Sequence, residues 1–118
     1  MATYGLYYVM TGKFRPGKGS EDVVKWWREK GAPDMLSNPG VKSVHAYAAQ
    51  FDLAGDHNLE VWVEIENYAA LDKMDDWYVA NPDLAKTKED LWKESDAYFE
   101  WGPARLMGDF PESALLPE

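Results

Sequence analysis

The sequence predicts one α+β domain whose elements follow one another as strand, helix, strand, strand, helix, strand. Three observations support this fold class. The 118 residues suit one domain with a core of its own. A strand, a helix and a strand follow one another twice, and the third strand alternates strictly between apolar and polar residues. That order predicts an antiparallel four-stranded sheet with both helices on one face, so residues 1–118 form a single domain with 111–118 as an irregular tail.

The first half of the chain contains two strands and one helix. Residues 4–14 are rich in Tyr and Val and end at a Pro- and Gly-containing turn, which predicts the first strand. Ser20 is placed to cap a helix, and Gly31 and Pro33 end or bend that helix. Residues 41–51 alternate as a second strand.

The second half repeats this order with a clearer pattern. Residues 59–66 alternate between aliphatic side chains and the polar or aromatic ones, as expected of a strand with two different faces. Asn67 caps a second helix, the Asn81-Pro82 pair interrupts it, and Asp83 restarts it. The aromatic run from Tyr98 begins a last strand that reaches about Phe110.

The charge balance excludes several partners. Twelve basic and twenty-one acidic residues give a net charge of −9, which repels nucleic-acid phosphates and anionic lipids. No apolar run approaches the ~20 residues of a membrane span, and the start of the chain does not resemble a signal peptide. There is no cysteine and no metal-binding or phosphate-loop spacing. We therefore expect a soluble cytoplasmic protein with no metal and no bound cofactor.

One face of the predicted sheet lacks helices and carries large aromatic side chains. His45 and Tyr47 on the second strand share this face with Trp62 on the third. Exposed aromatic surface marks an interface, and symmetric dimers are the commonest oligomers. We expect a homodimer through this face; the alternative is a monomer whose acidic sheet face contacts water.

Four segments resemble a known superfamily: residues 9–14 (VMTGKF), 38–41 (NPGV), 60–66 (EVWVEIE) and 78–83 (YVANPD). Together they resemble the dimeric α+β barrel superfamily, which includes stress-responsive barrel proteins, the olivetolic acid cyclase group and antibiotic-biosynthesis-type monooxygenases. The resemblance implies a ferredoxin-like βαββαβ subunit in a dimeric barrel. It leaves the chemistry open, since one fold serves many functions.

The resemblance also implies a pocket between the sheet and the helices. Tyr78 falls on the helix-borne tyrosine of the cyclase-like members, whereas Leu84 stands where their catalytic histidine lies and Asn81 where another histidine often precedes the proline. Tyrosine, with an ordinary pKa near ~10, is a poor base at neutral pH. Cyclase chemistry therefore lacks an evident base.

The candidate ligand-binding residues are mostly aromatic side chains expected on the helix-facing side, close to small residues that leave room. They are Tyr8, Met10, Trp27, His45, Tyr78 and Trp92. Ordinary core packing is the competing interpretation of the aromatic set. His45, on the other face, is a candidate general base or haem ligand, or a hydrogen-bonded interface histidine.

Three acidic residues on the third strand have two interpretations. Glu60, Glu64 and Glu66 share one face, so two of them can form a carboxylate pair with one raised pKa. The simpler interpretation is a solvated face neutralised by Lys or Arg of a second subunit. Two functions follow from the whole sequence: a protein that binds a small hydrophobic or aromatic molecule, as a cofactor-independent monooxygenase or cyclase does, or a non-catalytic stress-associated or accessory homodimer.

Overall fold

The computed structural model describes residues 5–17, 19–49 and 57–109. The nine elements, in chain order, are β1 (Leu6–Phe14), α1 (Ser20–Trp26), a π-helical turn (Trp27–Gly31), α2 (Ala32–Leu36), β2 (Val41–Ala48), β3 (Leu59–Ile65), α3 (Tyr68–Ala80), α4 (Pro82–Ser95) and β4 (Phe99–Gly108). The predicted element order is confirmed.

The four strands form one antiparallel sheet in the order β2-β3-β1-β4. Side chains on alternate residues point to opposite faces, so the strand register shows which residues share a face. Leu6, Val61, Val63 and Ile65 lie on the face that packs against Trp26 of α1 in the core. We call this the helix side and the opposite face the open side.

A thickness of 19 Å shows that the molecule has only two layers. This is the shortest of its three dimensions, and it equals about one sheet and one layer of helices. The main core cluster lies between these two layers, whereas the buried Val9 lies on the open side. No helix of the described ranges is long and apolar enough to cross a membrane.

Gly31 and Pro33 were expected to end or bend the first helical unit, and the structure shows that the unit continues past both residues to Leu36. Gly31 closes a π-helical turn, and Pro33 occupies the first turn of α2, where the missing backbone N–H costs nothing. A Cβ on Gly31 would lie 2.6 Å from the Trp26 ring and 2.8 Å from the Trp27 ring. Glycine is therefore needed because two indole rings pack against the backbone at this turn.

The second helical unit follows the prediction closely. The side chain of Asn67 accepts a 2.9 Å hydrogen bond from the backbone N–H of Ala70, which caps α3. Pro82 then stands at the start of α4, where its fixed φ suits the first turn. The break at Asn81-Pro82 is therefore a true boundary between two helices.

Several predicted boundaries within the described residues change by one residue. Gly19 rather than Ser20 is the N-cap of α1 because Gly19 is extended and the helix already includes Ser20. β3 ends at Ile65, so Glu66 lies outside it, and β4 begins at Phe99 instead of Tyr98. The predicted strand ends at Tyr4, Phe51 and Phe110, and the tail at 111–118, lie outside the described residues.

Candidate functional site

Tyr8 lies on the helix side of β1, a central strand, yet it is not covered. Its backbone is paired with Val63 on β3 and Leu106 on β4. Leu6 and Val63 are 4% and 6% exposed, whereas Tyr8 is 41% exposed. Met10, the next residue on this side, is only partly buried against the core. The helices therefore cover β3 but leave a gap above Tyr8.

Tyr78 is held by the turn that precedes β2. Its hydroxyl donates a 2.9 Å hydrogen bond to Oδ1 of Asn38. Burial, and then the negative charge of Asp34, raise the pKa of Tyr78, and the hydrogen bond to Asn38 opposes this only in part. The phenol is therefore neutral at physiological pH and cannot serve as a base.

Trp92 belongs to a polar cluster that joins α4 to α2. Its indole Nε1 donates a 2.8 Å hydrogen bond to Oδ2 of Asp34, and Lys88 Nζ lies 2.9 Å from Oδ1 of the same carboxylate. Lys88 also donates to the backbone oxygen of Asp34 and to Oγ of Ser37, at 3.1 Å and 2.7 Å. All three ammonium hydrogens thus have acceptors, so this cluster fixes α4 on α2.

The tryptophan at the centre of the core is Trp26, the neighbour of the candidate ligand residue Trp27. Its ring lies edge-on to Trp92, with centroids 5.4 Å apart, and near Phe99 at 5.9 Å. Trp26 is 4% exposed, and its Nε1 has no hydrogen-bond partner among the described residues. Trp27 is only partly buried beside it. The spacing of Val23 and Trp26 on one helical face is the sequence signal that identifies the buried indole.

The predicted ligand residues are thus divided between the two faces. Tyr8, Met10, Trp27, Tyr78 and Trp92 belong to the helix side, and His45 belongs to the open side. Within the described ranges no ring contact joins Tyr8, Trp27, Tyr78 or Trp92 to one another. Trp92 instead contacts Trp26 and Trp101, so it packs in the core rather than opposite Tyr8.

The open side contains a shallow hollow of about 580 Å³. It is lined by Tyr7, Ser43, His45, Tyr47, Glu60, Trp62 and Glu64. Within it, Tyr7 lies edge-on to Trp62 with centroids 5.4 Å apart, and His45 stacks on Tyr47 at 6.3 Å. Tyr47 is 57% exposed. The three residues predicted for the dimer interface therefore do share one open, aromatic surface.

Glu60 is held as a carboxylate by two neighbours. Its Oε2 lies 2.7 Å from Nε2 of His57, and its Oε1 accepts a 2.9 Å hydrogen bond from Nε1 of Trp62. These hydrogen bonds, His57 first, lower the pKa of Glu60. Glu60 is therefore not the member of a carboxylate pair whose pKa is raised, because the hydrogen bonds with His57 and Trp62 lower its pKa.

Glu64 and Glu66 complete the acidic strand. One oxygen of Glu64 accepts a 3.0 Å hydrogen bond from Oγ of Ser43, and the other lies 3.8 Å from Nζ of Lys42. Glu66 is exposed beyond the end of β3. Among residues 5–17, 19–49 and 57–109 no group of three His, Cys, Asp or Glu side chains can hold a metal ion.

The order β2-β3-β1-β4, with two strand-helix-strand halves and all helices on one face, decides the fold. The chain has the ferredoxin-like fold. This is the subunit fold predicted for a dimeric α+β barrel. No family model matches the sequence, and no curated protein matches it.

Solved structures with a similar arrangement have low sequence identity. A monooxygenase of Streptomyces coelicolor in complex with nanaomycin D is 21% identical; the match covers 97% of this chain and 93% of that one, with a TM-score of 0.48. A dimeric ferredoxin-like protein of unknown function from Bacteroides fragilis is 10% identical over 90% and 94%, with a TM-score of 0.46. A candidate chlorite dismutase is 16% identical with a TM-score of 0.46, and this chain, matched over 91% of its length, spans 43% of it.

Proposed function

We propose that the protein binds a small hydrophobic or aromatic molecule between its sheet and its helices, and that it does so as a cytoplasmic homodimer. The observation that carries the binding proposal is the 41% exposure of Tyr8 on the helix side of a central strand. A large aromatic side chain at such a position normally completes the core. Here it faces an opening that a ligand can fill.

The surroundings of Tyr8 indicate the chemistry of the ligand. Met10 and Leu106 are partly buried apolar side chains on the same side, and the phenol of Tyr8 is the polar group they flank. Mostly apolar walls with few polar groups are typical of small-molecule sites. A flat apolar molecule with one hydrogen-bonding group fits this description.

Tyr78, Trp27 and Trp92 contribute their rings rather than their polar atoms in this proposal. The hydroxyl of Tyr78 and the Nε1 of Trp92 already donate to Asn38 and Asp34. Their hydrogen bonds fix the helices that border the site. His45 lies on the open side and belongs to the proposed dimer interface.

Monooxygenase or cyclase activity is the catalytic form of this proposal. A cyclase needs a base near its substrate, and the raised pKa of Tyr78 disfavours that role. Leu84, which stands where cyclase-like members have histidine, is 53% exposed and cannot transfer protons. Oxygenation without a cofactor therefore ranks above cyclisation as the activity to assay.

The binding proposal is tested with two tyrosines on opposite faces of the sheet. Tyr8→Leu removes the phenol on the helix side, and Tyr47→Leu is its matched control on the open side. Wild type and both variants are screened by thermal shift against flat aromatic and polyketide-like compounds. A compound at ~100 times its Kd stabilises the wild type by ~2.7 kcal/mol. We expect this stabilisation to be lost in Tyr8→Leu and kept in Tyr47→Leu.

Two results would contradict the proposal. Stabilisation lost only in Tyr47→Leu would place the ligand on the open side. If no compound in the library stabilises the protein, the binding proposal fails and the second function, a non-catalytic accessory homodimer, remains. Compounds that bind are then incubated with the protein in air, and mass spectrometry detects addition of oxygen or loss of water.

The accessory homodimer is supported by a different observation, the aromatic open side. Tyr47 and Met107 are 57% and 41% exposed on that face, and the partly buried Trp62 lies between them. Sedimentation velocity at 1–100 µM, roughly the range that separates weak from stable dimers, tests it. A monomer throughout this range would exclude the homodimer under either function.

A further inference from the structure

The hollow on the open side combines aromatic rings with carboxylates. Four of its seven lining residues carry rings and two carry carboxylates. Trp62 lies on β3 between Glu60 and Glu64, which are two positions to either side of it and therefore point to the same face. Ring faces and carboxylates are both negative, so they attract the same kind of partner, a cation.

The rings of the hollow are held by their neighbours. Tyr7 lies edge-on to Trp62, with centroids 5.4 Å apart and planes at 62°, and His45 stacks on Tyr47. The indole N–H of Trp62 also donates to Glu60, which fixes the orientation of the ring. Rings that are already ordered lose little conformational entropy when a ligand binds. The hollow is therefore preorganised for a partner of the right charge.

Glu64 supplies a negative charge that its neighbours offset only weakly. One of its oxygens accepts a hydrogen bond from Ser43, a neutral residue. The other lies 3.8 Å from Nζ of Lys42, whose side chain is 54% exposed and which is not among the residues that line the hollow. An exposed ion pair of this kind contributes little and is screened by salt. Glu64 can therefore still attract a second cation.

The carboxylates have few acceptor positions left for a new donor. Oε2 of Glu60 lies 2.7 Å from Nε2 of His57, and its Oε1 accepts from Trp62. One oxygen of Glu64 is likewise occupied by Ser43. A primary ammonium has three N–H donors that lose water on binding and need acceptors. A quaternary ammonium has none and binds through ring faces and charge, so it suits this hollow better.

We propose that the hollow on the open side binds a small soluble molecule with a quaternary ammonium group, which the rings of Trp62 and Tyr47 contact and the charge of Glu64 attracts. Its volume of about 580 Å³ lies within the range of roughly 300–1,000 Å³ that small-molecule sites occupy. This site lies on the opposite face of the sheet from Tyr8. The inference rests neither on the proposed site above Tyr8 nor on the proposed homodimer.

Three related compounds test the need for a methylated positive charge. Choline and 3,3-dimethylbutan-1-ol have the same shape, but a neutral carbon replaces the nitrogen in the second. Ethanolamine carries a primary ammonium instead. Isothermal titration calorimetry and nuclear magnetic resonance titration at constant ionic strength measure each Kd. We expect choline to bind with a Kd of roughly 1 mM, the neutral compound about tenfold more weakly or worse, and ethanolamine about fivefold more weakly.

Substitutions in the hollow test where choline binds. Tyr47→Leu removes an exposed ring, and Glu64→Gln removes the charge while it keeps the size of the side chain. Each is expected to raise the Kd of choline by about fivefold. Tyr68→Leu and Glu89→Gln make the same changes at exposed positions on α3 and α4. Neither control is expected to change this Kd by more than about twofold.

Four results would overturn the inference. They are no detectable binding of choline up to about 20 mM, roughly twenty times the expected Kd; equal binding of choline and its neutral counterpart; a Kd that Tyr47→Leu and Glu64→Gln both leave unchanged; and a homodimer that excludes choline. Sedimentation velocity gives the oligomeric state of each sample, and a monomer or a dimer that binds choline through Tyr47 and Glu64 supports the inference.

The site above Tyr8 is tested by other compounds and by Tyr8→Leu, so the two proposals can fail independently. Tyr8→Leu is expected to leave the Kd of choline within about twofold of wild type, because Tyr8 points to the opposite face of the sheet. Far-ultraviolet circular dichroism confirms that each variant is folded.

Discussion

The hydroxyl of Tyr78 and the side-chain oxygen of Asn38 are 2.9 Å apart, and this hydrogen bond joins the end of α3 to the turn before β2. The two residues are separated by 40 positions in the sequence. Removing the hydroxyl leaves Asn38 Oδ1 without this donor, and such bonds contribute about 1 kcal/mol. Tyr78→Phe should therefore lower the free energy of unfolding by about 1 kcal/mol in urea denaturation.

A matched control is available in the same helix. Tyr68, the first residue of α3, is 39% exposed, so Tyr68→Phe should leave the free energy of unfolding within about 0.5 kcal/mol of wild type. Equal effects at both positions would show that the Tyr78–Asn38 bond does not form in solution.

The raised pKa of Tyr78 predicts a loss of stability at alkaline pH. Burial and Asp34 disfavour the phenolate in the folded protein, so the folded state keeps the proton to a higher pH than the unfolded chain does. The free energy of unfolding should therefore fall as pH rises above the ordinary tyrosine value near ~10. Urea denaturation between pH 7 and about 11 should show a smaller fall in Tyr78→Phe than in the wild type. Identical slopes would contradict the raised pKa.

Two lysines of α4 should differ sharply in their contribution to stability. Lys88 and Asp34 have side chains only 11% and 15% exposed, whereas Lys86 and Asp90 are 61% and 59% exposed. Breaking a buried pair leaves a charge without a partner, so Lys88→Met should cost about 2–4 kcal/mol. Lys86→Met should cost less than about 0.5 kcal/mol. Chemical denaturation compares the two, and similar costs would mean that Asp34 is solvated.

Two glycines with positive φ allow the stability cost of a steric clash to be measured separately from the cost of backbone strain. A Cβ on Gly17 (φ 83°) would meet no described atom within 4 Å, while a Cβ on Gly40 (φ 81°) would lie 2.5 Å from Cβ of the buried Ala70. Gly17→Ala should cost about 1 kcal/mol for the left-handed conformation. Gly40→Ala should cost about 1–3 kcal/mol more, because α3 must move. Thermal and urea denaturation of the pair measure the difference.

The lowered pKa of Glu60 predicts a stability change in the acid range. The folded protein holds this carboxylate ionised to a lower pH than the unfolded chain, so its contribution is present above the ordinary value near ~4.3 and is lost as pH falls through the folded value. Glu60→Gln should therefore be less stable than wild type at pH 7, and the two should converge in acid. The exposed Glu66→Gln is the control. A gap that is constant with pH would contradict the role of His57.

Patterns local in the sequence predicted the fold well. The predicted alternation of 59–66 matches β3 except for Glu66, and Asn67 caps α3 as expected. α4 begins at Pro82, one residue before the expected restart at Asp83. Each of these signals depends on neighbouring residues only, such as a cap, a fixed φ or a period of two. Boundaries were less exact because single residues such as Gly19 fit either side of a helix start.

The candidate site was predicted less completely because it depends on packing between distant residues. Sequence periodicity places Tyr8 and Met10 on the helix side, but only the structure shows that the helices leave Tyr8 uncovered. Periodicity also cannot show that Asp34 binds both Trp92 and Lys88, since these residues are more than fifty positions away. Likewise the pattern identified Glu60 but not the histidine that lowers its pKa.

Pro103 lies within β4, at one edge of the sheet. The backbone carbonyl of Pro103 accepts a 2.6 Å hydrogen bond from Thr11 Oγ1, and the pairing of β1 with β4 shifts register between Met10 and Gly12. Proline has no N–H to offer a further strand, and the irregular register interrupts an even ladder. This edge of the sheet is therefore a poor template for the addition of a strand from another chain. The edge thus opposes fibril growth in a protein whose open face exposes aromatic side chains.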